Sequence, residues 1–468
     1  MTLNPEFIRS RMVSHLAAKS PADRRNLVEE IRGIAFRRKI TYEYDKETGE
    51  EPIRILYPPV FLTADVVPAL QDICLNLSRA CEKAFGLFLE RPEARALFPL
   101  EEDEERLMFM SNPEIHAKQP AIWQRLDAAM DPQHPVVSLR LMETNMNSVG
   151  GVHYAPAVDK LSMETVLPNL LDPADLSRVS PNDDLEQMLF EVFSRHAIRR
   201  GVPAGGTSPL RIAVVENDPD ATGPTETAAV IEGLCALGAD VFPARPEEFE
   251  IRGSELIHLG RTVDLIYRLF EIREMNEMGQ TGALKVAFAN HRVVSSLGGE
   301  LDHKSIFELF TSPAFDRFFS SEERRLFRTH VLWTRLLRAD FTGSPDGSKV
   351  DLPEFVYHHR DRLVLKPNRS YGGEGILIGR ETDEGTWQSE VNRAMASPGK
   401  FVVQEATPLT EITFSIIDPA GDLIDDRLNV VFGFSATSSG LGVIGRASRS
   451  RIVNVARHGG LVPVLRLS

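Results

Sequence analysis

The sequence predicts a mixed fold, α+β with an α/β portion at its centre, on three observations. Residues 1 to about 110 repeat apolar positions every three and four residues, the period of helices packed on a core. From Leu210 to Glu271, strand-like and helix-like runs alternate, the pattern of a small parallel sheet. Beyond Gly343, short β-type runs are separated by Gly- and Pro-rich turns. A chain of 468 residues exceeds one ordinary core, so two or three packed units are expected. They are placed as a helical region over 1–115, a first core segment over 116–205, a small parallel α/β subdomain over 206–290 and a second core segment over 291–468.

The elements follow in order. VVPALQDICLNLSRACEKAFGLFLE reads as one amphipathic helix; Pro58 and Pro59 break the pattern before it, and Thr63 or Asp65 supplies its cap. AIWQRLDAAM and VVSLRLMETN read as two strands joined by the turn-rich DPQHP. LRIAVVEND is a buried strand, TETAAVIEGLCALGA a helix, and DVFPARPEEF and TVDLIYRLFE are further strands. From Asp302, LDHKSIFELF and SSEERRLFRTHVLWTRLLR read as helical. RLVLKPN, GILIG, FVVQEA, EITFSIID and RIVNVARHGGLVPVL then read as β-type runs.

Composition narrows the function. Hydrophobic residues make up 42% and charged residues 26%, as in a globular protein. The net charge of −14, from 53 basic and 67 acidic residues, argues against broad binding of nucleic acid or an anionic membrane, which need a positive face. No apolar run is long enough to predict a membrane-spanning helix. The N-terminal stretch shows no signal-peptide pattern, so a cytoplasmic location is expected. Cys74, Cys81 and Cys235 form no CxxC pair and read as buried, reduced thiols; Cys74 and Cys81 share a helix face. The histidines form no HExxH, and there is no GxSxG elbow and no P-loop.

Five groups of residues carry candidate chemistry. In RLVLKPNRSYGGEGILIG, a strand bearing Lys366 runs into a loop with Gly372, Gly373 and Gly375. Glycines let backbone N–H groups approach a polyphosphate, and the lysine adds a positive charge. Alone, the segment equally describes a glycine-rich hairpin with a surface lysine. Arg125 and Asp127 in RLD share a strand face, as do Glu143 and Asn145 in METN. If the two strands pair, two carboxylates and a carboxamide oxygen converge as hard ligands of the kind Mg2+ prefers, with Arg125 placed to stabilise a phosphoryl group. Each strand alone also reads as a solvated face with an ion pair. Lys304 sits just inside a predicted helix and by itself is an ordinary surface lysine. Gln404 and Glu405 end an apolar strand that can offer groups to an adenine and a ribose, or be a polar strand end. Asn454, Gly459 and Gly460 mark a turn near the C-terminus.

In their order along the chain, RLD, ETN, GGELDHK, HVLWTR, VLKPNRSYGGEG, VVQE and IVNVARHGG resemble the circularly permuted ATP-grasp family, the glutathionylspermidine synthase-like carboxylate–amine ligases. The resemblance spans about residues 121 to 465, and implies an ATP-grasp fold in permuted order, with metal ligands ahead of the nucleotide-clamping lysines. It implies that Arg125 contacts the transferred phosphoryl group, that Asp127, Glu143 and Asn145 hold Mg2+, and that Lys304 and Lys366 contact ATP phosphates. It further assigns Gly372, Gly373 and Gly375 to a loop covering the phosphates, and Gln404 and Glu405 to the hinge at the adenine. Two departures stand out. NMNSVGG puts Asn147 and Ser148 where the family has an acidic residue and a threonine, and Arg369–Ser370 adds positive charge to the loop.

The implied activity is ATP-dependent joining of a small-molecule carboxylate to an amine, drawn from amino acids, peptides or polyamines, through an acyl phosphate, with a γ-glutamyl amide as one product class. Arg268 in DLIYRLFE is the candidate for binding a substrate carboxylate, because arginine gives bidentate contacts. The rival expectation is a catalytically impaired nucleotide-binding module acting as a partner subunit, motivated by NMNSVGG. A homodimer is compatible with either.

Overall fold

Polar caps and prolines start the N-terminal helices. In this computed structural model, which describes residues 4–110, 118, 120–202 and 209–468, helix Pro5–Ala18 is capped by Asn4 and helix Pro21–Arg37 by Ser20, each with proline at its first position. The long helix Val67–Glu90 buries Leu70, Cys74, Leu77, Cys81, Phe85 and Phe88 along one stripe. It starts later than expected: Val66 occupies the cap position, and neither Thr63 nor Asp65 caps it through a side chain. Cys74 and Cys81 are buried, but Cys235 is exposed, contrary to the expectation for all three thiols.

Three sheets frame the molecule. The largest joins sequence-distant pieces: in spatial order Gly460–Val462, Leu441–Ser448, Leu423–Ala436, Arg125–Ala129 and Arg140–Asn145, with Thr410–Ile417 pairing the first half of Leu423–Ala436. The 14-residue strand Leu423–Ala436 is long enough to carry both partners on one edge, Thr410–Ile417 first and Arg125–Ala129 after it. A second sheet, all antiparallel, orders Thr334–Leu336, Phe401–Glu405, Leu363–Pro367 and Leu377–Ile378. Its apolar face packs on the helices Leu352–His358 and Glu384–Met395 around Trp387. The third sheet is parallel throughout, in the order Val293–Val294, Leu265–Leu269, Arg211–Glu216 and Asp240–Pro243, with helix Thr227–Ala236 in the crossover between the last two. Its strands are buried on both faces, as parallel strands covered by helices are. The last strand, Val464–Leu467, lies parallel to Val60–Thr63 and ties the C-terminus to the N-terminal region.

Local pattern and tertiary context part company at three places. HVLWTR is not helical: the helix ends at His330, and Thr334–Leu336 is an edge strand on Phe401–Glu405. Val331, Trp333 and Thr334 are residue types that suit a pleated surface, and pairing there outweighs the helical pattern before them. The VVS of the second expected strand instead forms one helical turn, Pro135–Ser138, and the strand begins at Arg140. Lys304 lies ahead of the short helix Ile306–Thr311 rather than inside it.

Candidate active site

The hairpin Arg125–Ala129/Arg140–Asn145 is the floor of the site. Its register sets Arg125 opposite Asn145 and Asp127 opposite Glu143, so the four side chains share one face. A bulge after Asp127 shifts the register and ends that alignment. Asp127 is clasped from two sides: Arg125 donates to both of its oxygens, at 2.8 and 3.0 Å, and Arg446 approaches Oδ2 at 2.7 Å. Burial alone would raise the Asp127 carboxyl, but the Arg125 and Arg446 guanidiniums hold it well below the usual carboxylate range. Arg446 was not among the expected site residues. It comes from the strand Leu441–Ser448, and no motif around it marks it.

Strand Leu423–Ala436 passes under this cluster with Gly433 paired to Asp127. A Cβ at Gly433 would stand 2.7 Å from Arg125 Cδ and 2.9 Å from Asp127 Oδ1. Gly433→Val is therefore expected to push the Arg125–Asp127 pair off its position, at a cost of about 1–3 kcal/mol in stability. Chemical denaturation should show that loss, while circular dichroism reports an unchanged fold.

The second sheet supplies the opposite wall. Lys366 and Gln404 face each other on adjacent strands, and Lys366 Nζ donates to Gln404 Oε1 at 2.6 Å. The Gln404 carboxamide then donates to Thr334 Oγ1 and the Met142 carbonyl, at 3.0 and 3.2 Å. Gln404 thus bridges the two walls and fixes the lysine, with its side chain committed to those partners. Glu405 is half-buried and lines the cleft at the strand end. Burial, against the pull of Glu143 and Asp127 and with the help of nearby Lys304, brings Lys366 down from 10.5 to about 8. Lys304 Nζ lies 2.9 Å from Glu143 Oε1 and donates to the Ser370 carbonyl at 2.9 Å, joining the hairpin to the glycine-rich loop.

Gly372, Gly373 and Gly375 all have φ near +70°, a conformation that glycine adopts at no steric cost. Gly372 and Gly373 border the cleft, whereas a Cβ on Gly375 would meet Pro367. Between the two walls lies a cavity of about 450 Å3, lined by Arg125, Asp127, Glu143, Asn145, Lys366, Gly372, Gly373, Gln404 and Glu405. Asn454 and Arg380 line it as well.

Two expectations fail on geometry. Arg268 has a fully buried side chain, paired with Glu300 and donating to the carbonyls of Ser295, Phe270 and Ser296. It does not reach a substrate. Alternation along Leu265–Leu269 puts Tyr267 and Leu269 on the recess face and Arg268 on the other. Arg369 adds no net positive charge to the loop, because Glu104, Glu271 and Glu300 surround its guanidinium at 2.6–3.0 Å. These three buried carboxylates lie close enough together to hold a metal ion, and the guanidinium serves as their cation. Tyr371 also hydrogen-bonds Glu271, so the root of the loop is anchored to the N-terminal helix Glu102–Met110 and to residues near the parallel sheet.

A smaller recess of about 190 Å3 shares Ser148, Gly150, Pro224 and Glu226 with the cleft and ends at the C-terminal edge of the parallel sheet. In sheets of this kind, ligands bind outside the carboxyl ends of the strands. Val149, Val152, Val214, Val230 and Leu269 make it apolar, while Glu216 and Glu226 bring carboxylates to its wall. Glu226 is committed: it accepts from the N–H groups of Gly151 and His153 at 2.5 and 3.0 Å. Arg125 donates to the Gly150 carbonyl, which holds the same turn against the hairpin.

No family model matches the chain. A glutathione synthetase-like effector from Globodera pallida, solved in its apo form, superposes with a TM-score of 0.64 over 99% of this chain and 97% of its own, at 10% identity. The fold resembles that of a glutathione synthetase-like protein. Among curated sequences, the "Putative glutamate--cysteine ligase 2-2" of Frankia casuarinae is 24% identical over 285 residues, 58% of this chain. The match covers 30% of that relative, so the chain aligns with less than a third of its length. Among the described residues, no helix is long and apolar enough to cross a membrane.

Proposed function

We propose that the protein is an ATP-dependent carboxylate–amine ligase with an ATP-grasp site in circularly permuted order. The observation that carries this reading is the convergence, in one cleft between two sheets, of the Asp127/Glu143/Asn145 oxygens with Lys366 and the loop of Gly372 and Gly373, with Lys304 held behind them by its ion pair to Glu143. The hairpin belongs to the large sheet and Lys366 to the second, and the two are joined across the cleft by Gln404 donating to the Met142 carbonyl and by Lys304 bridging Glu143 and the Ser370 carbonyl. The names of the similar proteins, a glutathione synthetase-like effector and a glutamate–cysteine ligase, support an amino acid as one substrate.

The donor set fits Mg2+: two carboxylates and a carboxamide on one face are hard oxygen ligands, and Asn145 spends only its Nδ2 on the Arg125 carbonyl, at 3.4 Å. Bound there, the ion would supply positive charge that neutralises a polyphosphate. The chain's own residues do the rest. Lys366 and Lys304 place positive charge along the phosphates, and Arg125 stands where the transferred phosphoryl group would pass. The substrate carboxylate oxygen attacks the γ-phosphorus and ADP leaves. The amine then attacks the acyl carbon, phosphate leaves with the bonding pair, and the amine proton passes to phosphate or solvent.

The apolar recess beside Arg125 suits the amine. Glu216 is partly exposed in its wall, and among the described residues lining the recess none is cationic. A charge-assisted hydrogen bond from a substrate ammonium to Glu216 contributes about 1.5–3 kcal/mol. Glu216→Gln should raise KM for the amine roughly tenfold or more and leave KM for ATP unchanged, as steady-state kinetics would show.

The direct test is ADP release with Mg2+ and ATP against pooled amino acids and polyamines, with hydroxylamine added to trap acyl phosphate as a hydroxamate. Substrate-dependent ADP together with a hydroxamate is the expected result. ATP binding without ADP release from any pool would replace the ligase with an impaired binding module. The left-handed Ser148 (φ 48°) in the departing NMNSVGG segment lines both cavities and is the local feature that favours this second reading.

A further inference from the structure

Away from the cleft, two helices face each other with matching polar stripes. On helix Val67–Glu90, Arg79 and Glu82 are three residues apart; on helix Leu185–Arg199, Arg195 and Arg199 are four apart. These spacings set each pair on one helix face. The two stripes, the segment 120–124 and the turn Ala436–Ser438 enclose a recess of about 210 Å3. Pockets for drug-sized ligands run from roughly 300 to 1,000 Å3, so the occupant is the size of an amino acid rather than a nucleotide.

Its charge is unusual for this chain. Three guanidiniums, Arg79, Arg195 and Arg199, act on the single carboxylate of Glu82, leaving a positive basin in a protein of net charge −14. Burial nonetheless pushes Glu82 up to about 7 against their pull. Arg195 and Arg199 repel each other at this spacing, a cost that an anion between them would offset. Arg195 spends its Nε on the Glu191 carbonyl and one Nη1 donor on Ser438 Oγ, which leaves Nη2 for a ligand.

The inner wall holds polar atoms with no partner among the described residues. Trp123 Nε1, Gln124 Oε1 and His196 Nδ1 are all buried and unpaired, on side chains that line this recess. Gln124 donates its Nε2 to the Ser78 carbonyl at 3.2 Å, which fixes its oxygen as the free acceptor. His196 Nε2 donates to the His291 carbonyl at 2.7 Å, which makes Nδ1 an acceptor, and burial lowers this imidazole to about 4, keeping it neutral. Buried polar groups almost always find partners, so three unpaired polar atoms on side chains that line one recess mark its inner wall as polar and unfinished.

We infer that this recess binds an acidic α-amino acid, with its carboxylates on Arg79, Arg195 and Arg199 and its ammonium on Glu82, against the polar wall of Gln124 and His196. Trp123 and Gln124 immediately precede Arg125, so an occupant grips the strand that carries Arg125 and Asp127 into the cleft. The inference stands whether or not the cleft catalyses ligation.

Titration calorimetry with L-glutamate and L-aspartate on the whole chain tests it. Saturable binding is expected, weakened about tenfold or more in Arg199→Ala and further in Arg195→Ala/Arg199→Ala, both exposed positions whose replacement leaves the core intact. Arg393→Ala, an exposed position outside both cavities, should leave that binding unchanged. The inference is overturned if the wild type binds neither amino acid, if the Arg195 and Arg199 variants bind as wild type does, or if inorganic phosphate binds as tightly as glutamate.

Discussion

Lys366→Ala is expected to lower substrate-dependent ADP release about 10²–10³-fold, the loss that follows removal of one preorganised charge from a transition state. The side chain is buried in the cleft wall and anchored by Gln404, with the hairpin's Met142 carbonyl beside its Nζ. The same burial gives the variant a pH signature. In the free protein Lys366 titrates near 8, down from 10.5, so it is mostly charged at pH 7 and mostly neutral at pH 9. Bound phosphates favour the charged form and raise its pKa. Binding above pH 8 must therefore take up a proton, and ATP affinity weakens as pH rises through this value, by up to about tenfold per unit. Calorimetry in buffers of different ionisation enthalpy should register about one proton bound per ATP at pH 9 in the wild type and none in Lys366→Ala. An unchanged proton count in the variant would move the titration to another group.

How much of this was readable from the sequence depends on the range of the interaction. The hairpin face of Arg125, Asp127, Glu143 and Asn145 follows from period two on each strand, and the register that aligns them needs only one local pairing. The glycine-rich loop carries its own mark, because φ near +70° at Gly372, Gly373 and Gly375 suits glycine. Arg446 carries none: it reaches Asp127 only because Leu423–Ala436 pairs on one edge with the hairpin and on the other with Leu441–Ser448. Arg268 was misplaced for a related reason. Its residue type suits a carboxylate, but the strand's alternation and the partner Glu300, 32 positions away, decide that it serves the core. The same holds for HVLWTR, where a helical period continues into residues that pair with a strand some 70 positions later. Short-range periodicity shows in one chain segment, whereas register between distant strands is set by the assembled core.

Asp127→Ala is the other large expected effect, and it separates structure from catalysis. Removing the carboxylate leaves the guanidiniums of Arg125 and Arg446 facing each other in a buried site, at a cost of about 3–5 kcal/mol. The Asp127 pKa is depressed in the folded chain, so its stabilisation is fully present above the ordinary carboxylate value of 3.8. It is lost only as pH falls below that value, through the depressed one. Chemical denaturation should thus show a constant gap between wild type and Asp127→Ala from neutral pH down to about pH 4, narrowing below it. Adding Arg446→Met removes one of the two stranded charges, and a double-mutant cycle should return roughly 1–3 kcal/mol. Activity should not follow. The pair of substitutions restores packing but no oxygen ligand, so Mg2+-dependent ADP release stays at the level of Asp127→Ala alone. Recovery of both stability and turnover in the double variant would mean that Asp127 acts only as a counter-ion and that the metal site must be built from other oxygens in the cleft.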